Sequence, residues 1–196
     1  MAGTGSFALE IVEYARVAGH DVAGLLELVD GSRIGSEVHG LPVLAPEDAR
    51  GAAAVGLAGN RLELWALLAE YALTAASIVH PTAHVSPSAQ LAEGVVIGPL
   101  AVVGAAAEIG PQALAARGVL VGHHTSIGAG VVLNPGANVG GNTLIGEGAT
   151  LGMGATVVNG VEVGANAVVA AGAVVLRPVE AETRVQGVPA RPFSRA

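Results

Sequence analysis

Aliphatic residues recur at every sixth position from residue 79 to residue 175. The seventeen positions of this frame are Val79, Val85, Leu91, Ile97, Val103, Ile109, Ala115, Val121, Ile127, Leu133, Val139, Ile145, Leu151, Val157, Val163, Val169 and Val175. The residue two places earlier is always Ala, Val, Thr or Ser, and the residue that follows is Gly at nine of the seventeen positions. An amphipathic helix repeats near 3.6 residues and a strand near 2. A strict period of six therefore predicts a short strand and a sharp turn, repeated along the chain.

The six-residue unit assigns a place to each kind of side chain. The large aliphatic residue points inward, the small residue before it fits a narrow interior, and Gly permits a positive φ at the corner. Repetition at this period is typical of the hexapeptide β-helix, in which three units close one triangular coil. The sequence therefore predicts a mainly β protein with a parallel β-helix over residues 77–178.

Residues 1–76 lack this frame and alternate between helical and strand patterns. An amphipathic helix is predicted over residues 7–18, ending at Gly19, and a strand over residues 22–26. A second helix begins at Pro46, a strand falls within residues 52–59, and a third helix covers residues 61–73. This alternation indicates a small α/β, Rossmann-like domain with a parallel sheet.

A glycine-rich turn, Gly3-Thr4-Gly5-Ser6-Phe7, opens the first helix. Such a turn can hold a phosphate on backbone N–H groups, although a tight turn without a ligand explains the pattern equally well. Only Met1 and Ala2 precede it, so most of the first strand is missing from this sequence. Two explanations stay open, a start placed late or a domain that lacks its central strand and part of its pocket.

Composition and charge exclude several classes of partner. The net charge of −7 argues against nucleic acid, which needs a basic face. No stretch approaches the roughly 20 apolar residues of a spanning helix, and no basic segment leads into an apolar one at the N-terminus. The absence of cysteine excludes disulfides and thiolate metal sites. We expect a cytoplasmic protein with neither nucleic acid nor a membrane as a partner.

An ordered set of short motifs resembles a known family. The motifs are Gly3-Thr4-Gly5-Ser6-Phe7, Gly40-Leu41-Pro42-Val43-Leu44, Ile78-Val79-His80-Pro81-Thr82-Ala83, Gly122-His123-His124-Thr125-Ser126-Ile127-Gly128, Leu133-Asn134-Pro135-Gly136-Ala137 and Gly187-Val188-Pro189-Ala190-Arg191. Together they resemble the hexapeptide-repeat acyltransferases of the sialic-acid O-acetyltransferase and UDP-4-amino-sugar N-acetyltransferase family. The resemblance implies a left-handed helix, a homotrimer, and acetyl-CoA in the groove between neighbouring subunits.

The resemblance also implies that different parts of the chain bind different substrates. Residues 1–76 would hold the nucleotide sugar, and the tail over residues 179–196 would pack near the CoA site. An acetyl group would pass from acetyl-CoA to an amine or hydroxyl of that sugar by direct attack. Such transfer needs a base for the acceptor proton and donors for the oxyanion, but no metal.

Individual roles are carried over by position. The resemblance places His123 at the position of the catalytic base. Imidazole suits this role because its pKa lies near neutrality. His124 follows at a position where the family has an acidic residue. Gly141 corresponds to the oxyanion donor, although a plain coil corner would also explain Gly140-Gly141. The positions implied for CoA are Asn134, Gly141, Gly152, Met153, Gly187, Pro189 and Arg191. The positions implied for the nucleotide sugar are Gly3, Gly5, Ser6, Phe7 and Glu27.

Three departures from the family pattern keep a second function open. His124 replaces the acid, Val132 stands where a histidine commonly contacts the acetyl donor, and Phe7 stands where the first domain often has histidine. The alternative is a catalytically impaired hexapeptide-repeat trimer with a binding or structural role. A γ-class carbonic anhydrase is disfavoured because adjacent His123 and His124 do not supply three separated zinc ligands.

Overall fold

The structure, a computed structural model, describes residues 1–28, 31–56, 59 and 61–193. Its helices are α1 (Ser6–Val17) and α2 (Arg61–Glu70), with a short 3-10 turn at Pro46–Asp48. The strands of the first part are β1 (Leu25–Leu26), β2 (Glu37–Val38), β3 (Leu41–Leu44), β4 (Ala52–Ala53) and β5 (Thr74–Ala75). The strands that follow are β6 (Ile78–Val79), β7 (His84–Val85), β8 (Gln90–Leu91), β9 (Val96–Ile97), β10 (Val102–Val103), β11 (Glu108–Ile109), β12 (Leu114–Ala115), β13 (Leu120–Val121), β14 (Ser126–Ile127), β15 (Val132–Leu133), β16 (Asn138–Val139), β17 (Leu144–Ile145), β18 (Thr150–Leu151), β19 (Thr156–Val157), β20 (Glu162–Val163), β21 (Val168–Val169), β22 (Val174–Val175), β23 (Arg184–Gln186) and β24 (Arg191–Pro192).

From β6 onward the chain forms the predicted parallel β-helix. Each strand from β6 to β19 pairs in parallel with the strand three places further along, so Val103 aligns with Val121 and Val121 with Val139, a step of 18 residues. Three hexapeptides therefore make one coil, as the repeat predicts. The strands stack into three walls. The first wall begins at β6 and contains eight strands, the second begins at β7 and contains six, and the third begins at β8 and contains five.

The interior of the helix is filled by the two series that the sequence pattern predicts. Ile97, Leu133 and Leu151 from the aliphatic series and Ala101 from the small series are fully or almost fully buried. Val79, at the open end, is an exception and is 36% exposed. Thr125 is the most buried polar residue of the small series. Its hydroxyl donates to the Gly140 carbonyl of the next coil at 2.8 Å. Its burial therefore leaves no hydroxyl proton without an acceptor.

The Gly that follows the aliphatic residue is required for a different reason than the sequence suggests. Gly122 does not have a positive φ, but a Cβ there would lie 2.4 Å from the Gly141 nitrogen of the next coil. Positive φ instead falls on the second residue of most corners, such as Gly118 at 67° and His124 at 53°. The prediction that this Gly adopts a positive φ is therefore wrong, and the close approach of neighbouring coils explains the repeated Gly.

The first part of the chain is a small mixed sheet with two helices. β1 pairs in parallel with β3, β3 pairs antiparallel with β2, and β4 pairs in parallel with β5. Ala2 lies between the two groups and bridges both Leu26 and Val55 in parallel. A single residue thus holds the central position of the sheet. The β2–β3 hairpin makes the sheet mixed, whereas the sequence predicted a parallel one.

The predicted elements of this part differ from the structure mainly in length. α1 agrees with the predicted helix, and α2 ends at Glu70, before residue 73. The helix predicted from Pro46 is only a 3-10 turn, because Ala49 is already extended with ψ of 149°. The strand predicted within residues 52–59 is reduced to β4, and residues 57 and 58 lie outside the described residues.

The first part packs on the outer face of the first wall. Ile11 and Tyr14 of α1 form one buried cluster with outward-facing residues of this wall, namely Ile78, Val96, Leu114 and Val132. At its margin, Arg117 forms an ion pair with Glu10 at 2.7 Å. The Nε of the buried Arg61 donates to the Gln112 carbonyl at 2.5 Å, and its burial lowers the pKa of that guanidinium to about 10. Apolar packing and polar bonds together join α1, α2 and the β-helix.

Shortening Ile97 tests the inward assignment of the aliphatic series. Ile97 is fully buried, so Ile97→Val is expected to lower the free energy of unfolding by about 1 kcal/mol through loss of one buried methylene. The matched control is Ile34→Val, at a side chain that is 44% exposed, with an expected change below about 0.5 kcal/mol. Denaturant unfolding measures both. Equal effects would contradict the burial pattern.

Candidate active site

The turns of the β-helix stack into corners, and two of these corners contain most of the predicted site residues in the helix. The corner between the second and third walls contains His123, Gly141 and Asn159, each 18 residues after the one before. We call it the histidine corner. The corner between the first and second walls contains Arg117, Pro135 and Met153 at the same spacing. We call it the methionine corner. Both corners flank the second wall.

His123 and His124 contact each other at the surface of the histidine corner. Their Nδ1 atoms are 3.1 Å apart, and the rings meet edge to face with centroids 5.3 Å apart. One Nδ1 therefore donates a proton and the other accepts it. The backbone of His124 is fixed by its N–H bond to the Ala105 carbonyl at 2.9 Å. His124 thus occupies the side of His123 on which an orienting acid would act, and it leaves Nε2 on the opposite side of the His123 ring.

Gly141 lies directly beside the ring of His123. A Cβ on Gly141 would stand 2.8 Å from Nε2 and 2.9 Å from Cε1 of His123, so only Gly leaves room for the ring in this position. The structure thereby brings together two of the predicted catalytic residues, the imidazole and the buried Gly N–H. That N–H donates to Oδ1 of Asn159 at 2.9 Å.

Asn159 is a residue of this corner that the sequence reasoning missed. Its side chain reaches the Gly141 N–H because Gly140 lacks a Cβ, which would otherwise lie 2.4 Å from Asn159 Oδ1. The signal that could have found it is the spacing of 18, since Asn159 lies 36 residues after His123. Two coils of the helix separate the two side chains along the corner.

Apart from Gly141, which lies at the histidine corner, the predicted CoA residues gather at the methionine corner and at the end of the first wall. Met153 is 60% exposed, and Gly152 allows close approach of Ala171, whose nitrogen would lie 2.4 Å from a Cβ. Asn134 donates from Nδ2 to the Leu151 carbonyl at 2.9 Å, a bond that ties its side chain to the next coil. Within one chain, Met153 and Asn134 therefore lie along one edge of the β-helix, at the methionine corner, and His123 lies along another, at the histidine corner.

The predicted tail residues lie on a hairpin at the end of the first wall. β23 pairs in parallel with β21, and β24 pairs antiparallel with β23. Gly187 and Pro189, the latter after a cis peptide bond, form the turn between these strands. Arg191 is exposed on β24, and its Nη1 donates to the Ala190 carbonyl at 2.9 Å.

Four of the five residues predicted for the nucleotide sugar surround the start of α1. Gly3 has a φ of 116° and donates to the Leu26 carbonyl, which brings the glycine turn against the end of β1. Glu27 follows β1 and accepts a bond from the Thr4 hydroxyl at 3.0 Å. Gly5 precedes Ser6 as the N-cap of α1 without a side-chain cap, and the first turn of α1 has no acidic residue. The helix dipole therefore presents partial positive charge at this end.

Arg33 joins this group although no sequence motif pointed to it. Its Nη1 donates to the Thr4 carbonyl at 3.0 Å, which places a guanidinium beside the glycine turn. Phe7 departs from the prediction, because its side chain is half-buried and packs against the cluster of Ile11 and Tyr14. The sequence alone could not show whether the Phe7 ring lines a ligand pocket or packs beneath the first turn of α1.

The position where the family commonly has a histidine is also part of the packing. Val132 is 4% exposed and belongs to the cluster between α1 and the first wall. Its side chain therefore contributes to joining the two parts of the chain, and it does not lie at the histidine corner. Buried aliphatic contact explains the residue at this position better than contact with a polar ligand.

In residues 1–28, 31–56, 59 and 61–193, no three His, Cys, Asp or Glu side chains are grouped so that they could hold a metal ion. The same residues include no helix that is both long and apolar enough to cross a membrane.

The parallel β-helix, together with the similarity to solved acetyltransferase structures, defines the class of the protein, an acyltransferase. The family model "Bacterial transferase hexapeptide (six repeats)" matches residues 142–177. A perosamine N-acetyltransferase mutant from Caulobacter crescentus, in complex with CoA and GDP-perosamine, is 32% identical, with a TM-score of 0.91 over 99% of this chain and 95% of that chain. A search of the curated proteins found no match.

Two further solved structures share the fold. The acetyltransferase domain of PglB from Neisseria gonorrhoeae FA1090 is 28% identical, with a TM-score of 0.87 over 98% of this chain and 97% of that chain. WeeI from Acinetobacter baumannii AYE is 24% identical, with a TM-score of 0.90 over the same shares, which supports the fold alone. The chain belongs to the left-handed β-helix, hexapeptide-repeat family of sugar acetyltransferases.

Proposed function

We propose that the protein transfers an acetyl group from acetyl-CoA to the amine of a nucleotide-linked sugar, at the histidine corner. The observation that supports this most is the position of His123 Nε2 beside Gly141, which pairs a base with a buried backbone donor. The Caulobacter relative is an N-acetyltransferase in complex with CoA and GDP-perosamine, and we extend both kinds of ligand to this chain. We expect the reaction to take place in the cytoplasm.

The proposed reaction needs no covalent enzyme intermediate. The amine nitrogen attacks the thioester carbonyl, and His123 Nε2 accepts the proton that the nitrogen loses. The Gly141 N–H donates to the carbonyl oxygen as it becomes an oxyanion. The carbon–sulfur bond then breaks, and the imidazolium of His123 returns the proton to the leaving CoA sulfur. His124 accepts the Nδ1–H of His123 and so keeps Nε2 free to act as the base.

We propose a homotrimer in which each site is shared by two protomers. His123 and Gly141 lie on one edge of the β-helix and Met153 on another, so a ring of three chains would bring unlike edges together. The outward-facing Val102, Leu120 and Leu144 next to the histidine corner are 37%, 43% and 47% exposed in the single chain. An apolar surface of this kind supports contact with a neighbour. Sedimentation should give three times 19.2 kDa, or about 58 kDa.

The remaining parts of the chain receive supporting roles in this proposal. Residues 1–76 bind the nucleotide sugar, residues 77–178 form the acyltransferase helix, and residues 179–196 pack near CoA. The diphosphate lies at the uncapped start of α1, where Gly5 and Ser6 supply backbone N–H groups and the positive φ of Gly3 shapes the turn before them. Gly187, Pro189 and Arg191 contact the nucleotide end of CoA, with Arg191 as the cation for a phosphate.

Removing Arg33 tests the nucleotide site. Arg33→Ala is expected to raise KM for the nucleotide sugar about tenfold, because a charged hydrogen bond to the diphosphate is lost. KM for acetyl-CoA should not change. Arg16→Ala, which removes an exposed cation from the other end of α1, is the matched control and should leave both constants unchanged. An Arg33→Ala enzyme with native KM for the nucleotide sugar would place the diphosphate elsewhere.

The function itself is tested by CoA release with a panel of acceptors. We expect turnover with nucleotide-linked 4-amino or 3-amino sugars, little with the corresponding hydroxyl sugars, and little with the amino sugars lacking the nucleotide. Turnover with hydroxyl sugars only would change the acceptor from amine to hydroxyl. Turnover that ignores the nucleotide would contradict the role given to residues 1–76.

A further inference from the structure

His123, Gly141 and Asn159 are consecutive members of one corner stack. Val121, Val139 and Val157 align in neighbouring strands of the second wall, and each of the three corner residues follows its valine by two positions. Gly141 therefore lies between the other two, with the His123 ring on one side and the Asn159 side chain on the other. The base, the oxyanion donor and the residue that now accepts from this donor form a column along the helix axis.

The contact between Gly141 and Asn159 has a defined polarity. Gly141 is buried, and a buried N–H needs an acceptor. The Asn159 amide must present its oxygen, because the atom facing it at 2.9 Å is an N–H donor. The carbonyl of Gly141 is bonded as well, since it accepts from the Gly160 N–H at 3.0 Å. Both backbone polar groups of Gly141 are thus satisfied by Asn159 and its neighbour.

Gly140 and Gly141 make the contact between Asn159 and the Gly141 N–H sterically possible. Gly140 leaves room for Asn159 Oδ1, and Gly141 leaves room for the His123 ring. The Asn159 residue is exposed, so its amide can move into solvent at small cost, whereas the Gly141 N–H belongs to a fixed coil. Of the two partners, only the Asn159 side chain can leave the contact without disturbing the fold.

We propose that Asn159 is a positioning residue that caps the oxyanion donor and yields it to the acetyl carbonyl of the acyl donor. This inference rests on the proposed function. Before acetyl-CoA binds, Asn159 Oδ1 satisfies the Gly141 N–H and excludes a competing acceptor. When acetyl-CoA binds, its carbonyl oxygen takes the place of Oδ1, and the Asn159 amide turns into solvent. The acetyl group therefore exchanges one hydrogen bond for another, and part of its contact energy is offset.

Free CoA separates this role from a general effect on CoA binding. CoA contains every group of acetyl-CoA except the acetyl group, so it has no carbonyl oxygen there to compete with Asn159. Asn159→Ala is expected to lower the Kd of acetyl-CoA, measured by calorimetry, about three- to tenfold. The Kd of CoA should not change. Asn159→Asp should raise the Kd of acetyl-CoA, because a carboxylate accepts a stronger, charge-assisted bond from the N–H.

The expected result is a pair of shifts in opposite directions, seen with acetyl-CoA and not with CoA. Asn166→Asp, at another corner, adds the same charge and controls for repulsion of the CoA phosphates. Circular dichroism melting verifies that each variant is folded. Equal shifts for the two ligands, or none, with native turnover intact, would overturn the capping role alone. Absence of turnover in the native enzyme would contradict the proposed function, and the binding comparison would still decide whether Asn159 competes with the acetyl group.

Discussion

His123→Ala is expected to lower kcat for acetyl transfer at least about a hundredfold, the lower range for loss of a general base. Nε2 of this ring lies beside the buried Gly141, whereas the ring of His124 contacts the opposite side of His123 and cannot take its place. KM for acetyl-CoA should change little, because the imidazole acts on the acceptor proton. Steady-state kinetics of CoA release measures both.

The chain offers a matched control for this substitution. His84 is an exposed histidine on β7 of the second wall, two coils before His123 along the helix. His84→Ala removes the same side chain and should leave kcat within about twofold of the native value. Equal losses in the two variants would show that histidine content or stability matters, and the assignment of His123 as the base would be wrong.

Gly141→Ala is expected to have the second largest effect, a loss of about tenfold to a hundredfold in kcat. The added Cβ would stand 2.8 Å from His123 Nε2, so the ring must leave its position beside the oxyanion donor. Small displacements of catalytic groups cost rate in this range. The backbone itself tolerates alanine, because Ala105, Ala129 and Ala165 occupy the same turn position in other coils.

A double substitution separates displacement of the ring from damage to the fold. In the His123→Ala background, the Cβ introduced at position 141 has free space where the imidazole ring was. The destabilisation caused by Gly141→Ala should therefore be smaller there than in the native chain, as measured by denaturant unfolding. Equal destabilisation in both backgrounds would mean that the Cβ meets something other than His123.

The hexapeptide frame made the β-helix predictable, because each unit specifies its own inward residues and corner. The same period places His123 and Gly141 at one corner, although the roles of these residues came from resemblance. The contact between Asn159 and Gly141 was not predictable by similarity of motif, since it depends on the rotamer of one exposed side chain that reaches the neighbouring coil. Once 18 residues are known to make one coil, counting from His123 leads to it.

The first part of the chain was less predictable because its elements are short and depend on packing. Pro46 is a typical helix start, but the 3-10 turn that begins there contains only three residues. The β2–β3 hairpin has no strong alternation of apolar and polar residues in the sequence. Phe7 is a predicted site residue and Val132 stands where the family commonly has a histidine, yet both pack between α1 and the first wall. The period of the sequence cannot show whether such a residue contacts a ligand or packs in this interface. The interface buries residues of α1 and of the first wall, and these two elements have different periods.

We expect this chain itself to acetylate a nucleotide-linked amino sugar at the histidine corner. A single-turnover reaction, with the protein in excess over acetyl-CoA and a GDP- or UDP-linked 4-amino sugar, tests this by detecting the sugar product in mass spectrometry. The native chain should add one acetyl group per acetyl-CoA consumed, and His123→Ala should add it at least about a hundredfold more slowly. Saturable binding of acetyl-CoA with no acetylated sugar from the native chain would contradict this expectation and favour an impaired, binding trimer.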